Sequence, residues 1–129
     1  MKEIEIGTSQ SASLRVTEAH TARALGSGDL PVLGTPAMAA LMERAAMEAI
    51  APYLTPETES SVGVALNITH ERATGIGDTV RATATVTEVD GRRIDFTINA
   101  VDSSGRIIGQ GSHSRFVIDV QKFMARIEK

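Results

Sequence analysis

The sequence predicts an α+β domain in which a curved antiparallel β-sheet wraps around one long central helix. An almost wholly apolar stretch with helical character runs from Gly34 to Tyr53, and four strand-like segments follow it. Mostly short turns join those segments, and short turns can connect antiparallel strands but not parallel ones. The 129 residues, 42% of them hydrophobic, are enough for a single domain with its own core, spanning residues 1–129.

The composition excludes several classes of partner and chemistry. The net charge is −3 and the chain has no basic run, so neither nucleic acid nor a membrane surface is expected as a partner. Cysteine is absent, which excludes disulfides, thiolate metal sites and cysteine nucleophiles. The first ten residues lack the apolar core of a signal peptide, and no apolar run approaches the roughly 18–20 residues that span a bilayer. A cytoplasmic protein is therefore expected.

The central helix has clear predicted ends. Thr35 is expected to be the N-cap, because its hydroxyl can accept a free backbone N–H of the first turn. Pro36 then takes the first helical position, where its missing N–H costs nothing. The helix is expected to end at about Ala51, because Pro52 follows.

One carboxylate on this helix stands on an otherwise apolar face. At helical spacing, Glu43 lines up with Ala39, Met47 and Ile50, so the sequence predicts that it is buried. Burying an unpaired carboxylate is costly, and such groups gather at functional sites. Glu43 is therefore the strongest candidate for chemistry.

The remaining elements are predicted from alternation and turn signals. A strand is expected at Ala12–Thr17 ahead of the helix, and a short helix at Lys122–Lys129. The four strands after the central helix are expected at Ser61–His70, Thr79–Val89, Arg92–Val101 and Ile107–Ile118. In the first three, the alternating apolar residues are expected to form one inward face of each strand. Asp90-Gly91 is a hairpin signal. A single helix wrapped by such a sheet is the hotdog arrangement, and it leaves a face and an edge uncovered, so a homodimer or a dimer of dimers is expected.

Several other candidate residues also have structural interpretations. Thr35 is explained as a cap, and Gly63 could mark only a bulge or close packing. His70 ends a strand and could be a hydrogen-bonded structural histidine. His20 and His113 are solitary and are interpreted as structural. No histidines or carboxylates show a metal-binding spacing, so no metal is expected.

Four segments, taken in order, resemble the fluoroacetyl-CoA thioesterase-like family of hotdog-fold thioesterases. They are GTPAMAALMERAAMEAIAPYL, GVALNITH, DGRRIDF and GSHSRFVIDVQKF, and the resemblance runs from about residue 14 to residue 125. It implies hydrolysis of an acyl-CoA thioester without metal or other cofactor. It also implies that Thr35, Glu43 and His70 are catalytic, and that Gly63 and Arg115 belong to the substrate pocket.

The segment before the helix departs from the family pattern. The family's namesake gates its pocket with phenylalanines there, whereas LGSGDLPVLG has none, and Leu30 stands near the place of one. The resemblance therefore implies a general short-chain acyl-CoA thioesterase rather than selectivity for a fluorinated acyl group. The loop is either a lid over the helix start or an ordinary connection.

Helix geometry keeps two of the candidate catalytic residues apart. Thr35 and Glu43 are eight residues apart, which is roughly 12 Å along a helix and about 80° around its axis. We therefore expect a site completed across a dimer interface. The CoA phosphates would require cations near the site, and the candidates are Arg72, Arg92, Arg93 and Lys122.

Three functions fit these patterns. The first is an acyl-CoA thioesterase, and the second is a non-catalytic acyl-CoA-binding hotdog domain, which would have no need of a buried carboxylate. The third is a dehydratase or hydratase, but the Asp/His pair typical of that class is not found.

Overall fold

The computed structural model describes residues 1–128 and contains five strands and three α-helices in that range. The strands are β1 (Ser9–Arg15), β2 (Glu59–His70), β3 (Thr79–Asp90), β4 (Arg93–Val101) and β5 (Ile107–Asp119). The helices are α1 (Ala22–Leu25), α2 (Thr35–Ile50) and α3 (Val120–Ile127), with 3₁₀ turns at Glu18–His20 and Ala51–Tyr53. The predicted C-terminal helix is confirmed, although Lys129, its predicted last residue, lies outside the described range.

The five strands form one antiparallel sheet in the order β1-β3-β4-β5-β2, and α2 packs across it. This is the predicted hotdog arrangement. The helix lies mainly against β1 and β3, so β2 forms the sheet edge on the side that the helix covers least. Within residues 1–128, no helix combines the length and the hydropathy needed to cross a bilayer.

The middle of the sheet confirms the predicted inward faces. The alternating side chains of β3 and β4 are buried: Val80, Ala82, Ala84, Val86, Ile94, Phe96, Ile98 and Ala100. Small side chains face each other here, because the buried alanines of α2 oppose the alanines of β3 and let the helix approach closely. Each large apolar side chain buried in this layer contributes about 1.5–3 kcal/mol relative to an exposed one.

The helix start differs from the prediction by one residue. Gly34 is the N-cap of α2, so Thr35 is the first helical residue and Pro36 the second. The Thr35 hydroxyl makes no capping hydrogen bond, because it bonds to a side chain elsewhere. The prediction that Thr35 is the N-cap is therefore wrong. Its hydroxyl is not used for capping and remains available for chemistry.

The predicted burial of Glu43 is also wrong within one chain. Glu43 and Ala39 are half-buried and Met47 is 42% exposed, whereas Ile50 is buried as expected. The reason is that α2 lies over β1 and β3, so this chain's sheet does not cover the Glu43 side of the helix. An apolar stripe is present, but the sheet of this chain leaves it partly exposed.

The edge strand next to that stripe is exposed as well. The sequence alternation predicted one buried face along β2, but Val64 is 54% exposed and Leu66 is 37% exposed. A β-bulge between Gly63 and Ala65 shifts the register against β5 and reverses the side-chain parity. The free edge and the exposed stripe therefore lie side by side.

The loop before α2 is attached to its surroundings at several points. Ala22 N–H donates to the Val32 carbonyl at 2.8 Å, and Leu33 N–H donates to the Thr74 carbonyl at 2.9 Å. Gly34 N–H donates to the His20 carbonyl, also at 2.9 Å. These bonds fix the course of the chain up to Thr35.

Candidate active site

Two of the predicted catalytic residues meet where α2 begins and β2 ends. Oγ1 of Thr35 lies 2.7 Å from Nδ1 of His70. The other ring nitrogen of His70, Nε2, is buried and has no hydrogen-bond partner within residues 1–128. Burial lowers the pKa of His70, and the nearby backbone of Arg72 opposes this shift. The ring is thus neutral at neutral pH and can accept the Thr35 proton.

A polar cavity of about 280 Å³ opens beside this pair. The cavity lies between the loop before α2 and the segment after β2, and it is lined by Ala22, Ser27, Val32, Leu33, Thr35, His70, Glu71, Arg72 and Ala73. Leu30 is 61% exposed and does not line it, so its place in a substrate pocket stays a prediction.

The other predicted site residues gather around Gly63 on β2. A methyl group on Gly63 would lie 3.0 Å from Oε2 of Glu43, 3.2 Å from Cε1 of His113 and 3.5 Å from Nη1 of Arg115. We call these four residues the Gly63 cluster. Because glycine has no side chain, Glu43 and His113 approach the β2 backbone closely. A cavity of about 320 Å³, bordered by the Glu43 carboxylate, Gly63 and the Arg115 guanidinium, opens beside them. This cavity is the gap beside Gly63, and it has room for a small ligand group.

The guanidinium of Arg115 is buried and held in place by β2. Its Nε donates to Oγ of Ser61 at 2.9 Å, and its Nη2 donates to the Ser61 carbonyl at 3.0 Å. Burial lowers the pKa of Arg115 from its usual high value, and the Glu43 carboxylate opposes that shift. Arginine remains charged at neutral pH, so the cluster contains a fixed, poorly hydrated positive charge.

His113 joins this cluster although the sequence indicated only a structural role. It is 2% exposed, and its ring stacks on Phe96 with centroids 5.9 Å apart. Its Nε2 lies 3.2 Å from Nη1 of Arg115. The signal that could have found it is its position two residues before Arg115, because alternate residues of a strand share one face.

The two clusters lie far apart within one chain. Glu43 contacts the region of Gly63, whereas Thr35 contacts His70, and Gly63 and His70 are seven residues apart on the same strand. At about 3.3 Å per residue this separation is roughly 20 Å. The structure therefore brings Thr35 together with His70, and Glu43 together with Gly63 and Arg115, but it does not unite the two groups in one chain.

No metal is needed to explain either group. Within residues 1–128, no set of three or more histidine, aspartate or glutamate side chains is arranged to hold a metal ion. The polar groups present are a hydroxyl, two imidazoles, a carboxylate and a guanidinium, which are the groups of acid–base and nucleophilic chemistry.

Comparisons with known proteins identify the family. The model of the fluoroacetyl-CoA-specific thioesterase family, FlK, matches residues 16–121. Fluoroacetyl-CoA thioesterase from Streptantibioticus cattleyicolor is 43% identical over 98 residues, which cover 76% of this chain and 69% of that protein.

Solved structures agree with this result. A crystal structure of a point variant of FlK superposes with a TM-score of 0.91 at 35% identity, covering 99% of this chain and 98% of the other. A thioesterase superfamily member from Thermus thermophilus superposes with a TM-score of 0.91 at 27% identity, covering 99% and 93%. The chain belongs to the FlK family of hotdog-fold thioesterases.

Proposed function

We propose that this protein hydrolyses the thioester bond of a small acyl-CoA, releasing the free acid and CoA. Membership of the FlK family supports a thioester hydrolase. The observation that carries the assignment to particular residues is the 2.7 Å hydrogen bond between Thr35 and His70. It pairs a hydroxyl with a neutral imidazole at a helix N-terminus, which is the arrangement of an activated nucleophile.

The Thr35–His70 pair performs the first step. Thr35 Oγ1 attacks the thioester carbonyl carbon while His70 Nδ1 takes its proton, and the CoA thiolate leaves as the acyl–Thr35 ester forms. Since Thr35 donates to Nδ1, the ring carries its own proton on Nε2. That buried Nε2–H has no acceptor within the described chain, so it requires one from substrate or from a second subunit.

The Gly63 cluster performs the complementary task. Arg115 stabilises the negative oxygen of the tetrahedral intermediate at the gap beside Gly63, where a buried cation that is already held in place is effective because it needs no reorganisation during the reaction. Glu43 then accepts a proton from the water that attacks the acyl–Thr35 ester, and the bond between the acyl carbon and Thr35 Oγ1 breaks as His70 returns its proton to that oxygen. The two clusters together supply the nucleophile, base and oxyanion site that neither contains alone.

A homodimer brings the two clusters together. β2 is an edge strand with free backbone groups, and the apolar side chains beside it are exposed. Antiparallel pairing of two β2 strands about a two-fold axis between Leu66 and Asn67 would place Gly63 opposite the partner's His70. Each site would then combine Thr35 and His70 of one chain with the Gly63 cluster of the other.

Arg72 is our proposed contact for the CoA phosphates. It lines the cavity beside Thr35 and His70, and within residues 1–128 it makes no ion pair. By contrast, Arg92 pairs with Glu59, and Arg93 pairs with the acidic side chains around it. Lys122 lines a separate cavity near α3. Of the four candidate cations, Arg72 alone lies beside the proposed nucleophile.

The direct test is thiol release from a panel of acyl-CoA esters with short, branched and aromatic acyl groups. We expect turnover of short acyl groups, and loss of at least about 100-fold in kcat for Glu43→Gln, because an amide cannot act as the base. The matched control is Glu48→Gln on the same helix, where the carboxylate pairs only with Arg44 at 3.5 Å. No thiol release from any ester, with binding of acyl-CoA retained, would instead identify a non-catalytic acyl-CoA-binding domain.

A further inference from the structure

We propose that His113 is a positioning residue, which holds Nη1 of Arg115 at the gap beside Gly63 so that the guanidinium meets the substrate oxygen in one orientation. This inference rests on the proposed function of Arg115. His113 itself contacts no substrate in this account, since its two ring nitrogens are both bonded to protein groups.

The hydrogen bonds of His113 determine its protonation. Nδ1 lies 2.8 Å from the Ala65 carbonyl, and a carbonyl can only accept, so Nδ1 carries the proton. Nε2 lies 3.2 Å from Nη1 of Arg115, and a guanidinium can only donate, so Nε2 must be the unprotonated acceptor. The geometry therefore requires one neutral tautomer.

The surroundings of the ring favour that neutral form. Burial lowers the pKa of His113 most, and the positive charge of Arg115 lowers it further. The hydrogen bond to Ala65 and the Glu43 carboxylate on α2 act in the opposite direction. Phe96 on β4 contributes only a stacked apolar ring. A second proton on His113 would face the guanidinium and remove its acceptor.

The remaining bonds of Arg115 show why this acceptor matters. Nε and Nη2 are both bonded to Ser61, so the plane of the guanidinium is anchored on one side only. Nη1 is the nitrogen closest to the Gly63 gap, and its recorded partner is His113. His113 thus fixes the one corner of the guanidinium that faces the gap.

His113 also connects this corner to the bulge of β2. The bulge between Gly63 and Ala65 shifts the register against β5, and the Ala65 carbonyl accepts the Nδ1–H of His113. One ring therefore holds both the Ala65 backbone and the Arg115 side chain. A purely structural histidine would need only the bond to Ala65, whereas a positioning histidine also needs the bond to Arg115. The two roles can therefore be tested separately.

Two substitutions separate those bonds. In His113→Gln the amide oxygen reaches the place of Nε2 and can still accept from Arg115, but the bond to Ala65 is lost. In His113→Asn the amide N–H reaches the place of Nδ1 and can still donate to Ala65, but the acceptor for Arg115 is lost. The measurements are kcat/KM for the best acyl-CoA substrate and the thermal unfolding midpoint of each variant.

If His113 positions Arg115, the Asn and Gln variants should rank in one order by kcat/KM and in the opposite order by unfolding midpoint. We expect His113→Asn to lose at least about tenfold in kcat/KM, because a misplaced catalytic contact costs that much or more, while keeping the higher unfolding midpoint. We expect His113→Gln to stay within about threefold of the unsubstituted protein in kcat/KM despite a lower midpoint. Equal kcat/KM for the two variants, or a larger loss in the Gln variant, would overturn the proposal.

A second measurement does not depend on turnover. Nitrogen-15 NMR of the imidazole should show protonated Nδ1 and unprotonated Nε2 in His113 at neutral pH. A proton on Nε2 would overturn the proposal even in an active enzyme. If no acyl-CoA is hydrolysed, the proposed function fails, and the NMR result still decides whether His113 holds Arg115.

Discussion

The Thr35–His70 pair and the Gly63 cluster differ in charge, in burial and in how completely their polar atoms are bonded. The pair is neutral, opens onto a polar cavity and leaves Nε2 of His70 without a partner in the described chain. The cluster contains a carboxylate and a buried guanidinium whose bonds to Ser61 and His113 hold it in place. We propose a matching division of labour: the pair forms the acyl–threonine ester, and the cluster supplies a fixed positive charge and the base for its hydrolysis.

The largest expected effect comes from removing the base of the pair. We predict that His70→Ala lowers kcat by about 10²–10⁴-fold, the range that general-base catalysis contributes. His20→Ala is the matched control, because within residues 1–128 the ring of His20 bonds only to Thr17. Steady-state thiol release measures both variants. Equal activity in the two would show that the Thr35–His70 hydrogen bond has no catalytic role.

The next effect comes from filling the gap of the cluster. Gly63→Ala places a methyl group 3.0 Å from Oε2 of Glu43, which displaces the carboxylate at the edge of the gap in which a substrate oxygen is proposed to lie. We expect a loss of about 10–100-fold in kcat/KM, since a displacement of 1 Å in a catalytic contact costs up to about 100-fold. Gly75→Ala is the control, because a methyl group there meets nothing within 4 Å. If Gly63→Ala kept the kcat/KM of the unsubstituted protein, the Gly63 cluster would have no role in catalysis.

The pH dependence sharpens the assignment of the base to the pair. His70 must be neutral to accept a proton, and burial lowers its pKa from the ordinary 6.5. Activity should therefore be full above pH 6.5 and fall about tenfold per pH unit only below the folded-state pKa. Between the lowered pKa of folded His70 and the ordinary value of 6.5, the unfolded chain binds more protons than the folded one, so stability rises with pH across that interval. An acid limb of kcat/KM centred above pH 6.5 would contradict this account.

The smallest expected effect lies at the cavity beside the pair. Arg72→Ala should raise KM for acyl-CoA by about two- to tenfold with kcat unchanged, because a phosphate contact outside the reacting centre contributes equally to the ground and transition states. Arg93→Ala removes a cation already engaged with acidic neighbours and should leave KM unchanged. If Arg93→Ala raised KM instead, the result would indicate that the CoA phosphates bind near Arg93 and not near Arg72.

Sequence reasoning succeeded where this chain covers its own apolar surfaces and failed where it does not. Alternation and turn signals predicted β3 and β4 closely, because their buried faces are covered by α2 of the same chain. They also predicted the strand β2, but they failed for its buried face and for the burial of Glu43, because an apolar pattern does not state whether the same chain covers it. The bulge at Gly63 also reverses side-chain parity, which no alternation pattern reveals.

Among the candidate site residues, the resemblance identified those that the structure groups together. The capping rule alone placed Thr35 as the N-cap, because a threonine hydroxyl before Pro36 can accept a free N–H of the first turn. His113 was missed as part of the cluster because its partners, Ala65 and Arg115, are set by the register of β2 against β5. That register is a tertiary property, which the spacing within one strand does not encode.

The central claim is that one site uses the pair of one chain and the cluster of the other. It is tested by mixing unfolded Thr35→Ala and Glu43→Ala chains in equal amounts, refolding them together and measuring thiol release from acyl-CoA. Each parent alone should be inactive. In a mixed dimer one site carries both substitutions and the other carries neither, so the refolded mixture should recover about a quarter of the unsubstituted activity. A mixture as inactive as its parents, with mixed dimers present, would contradict the shared site.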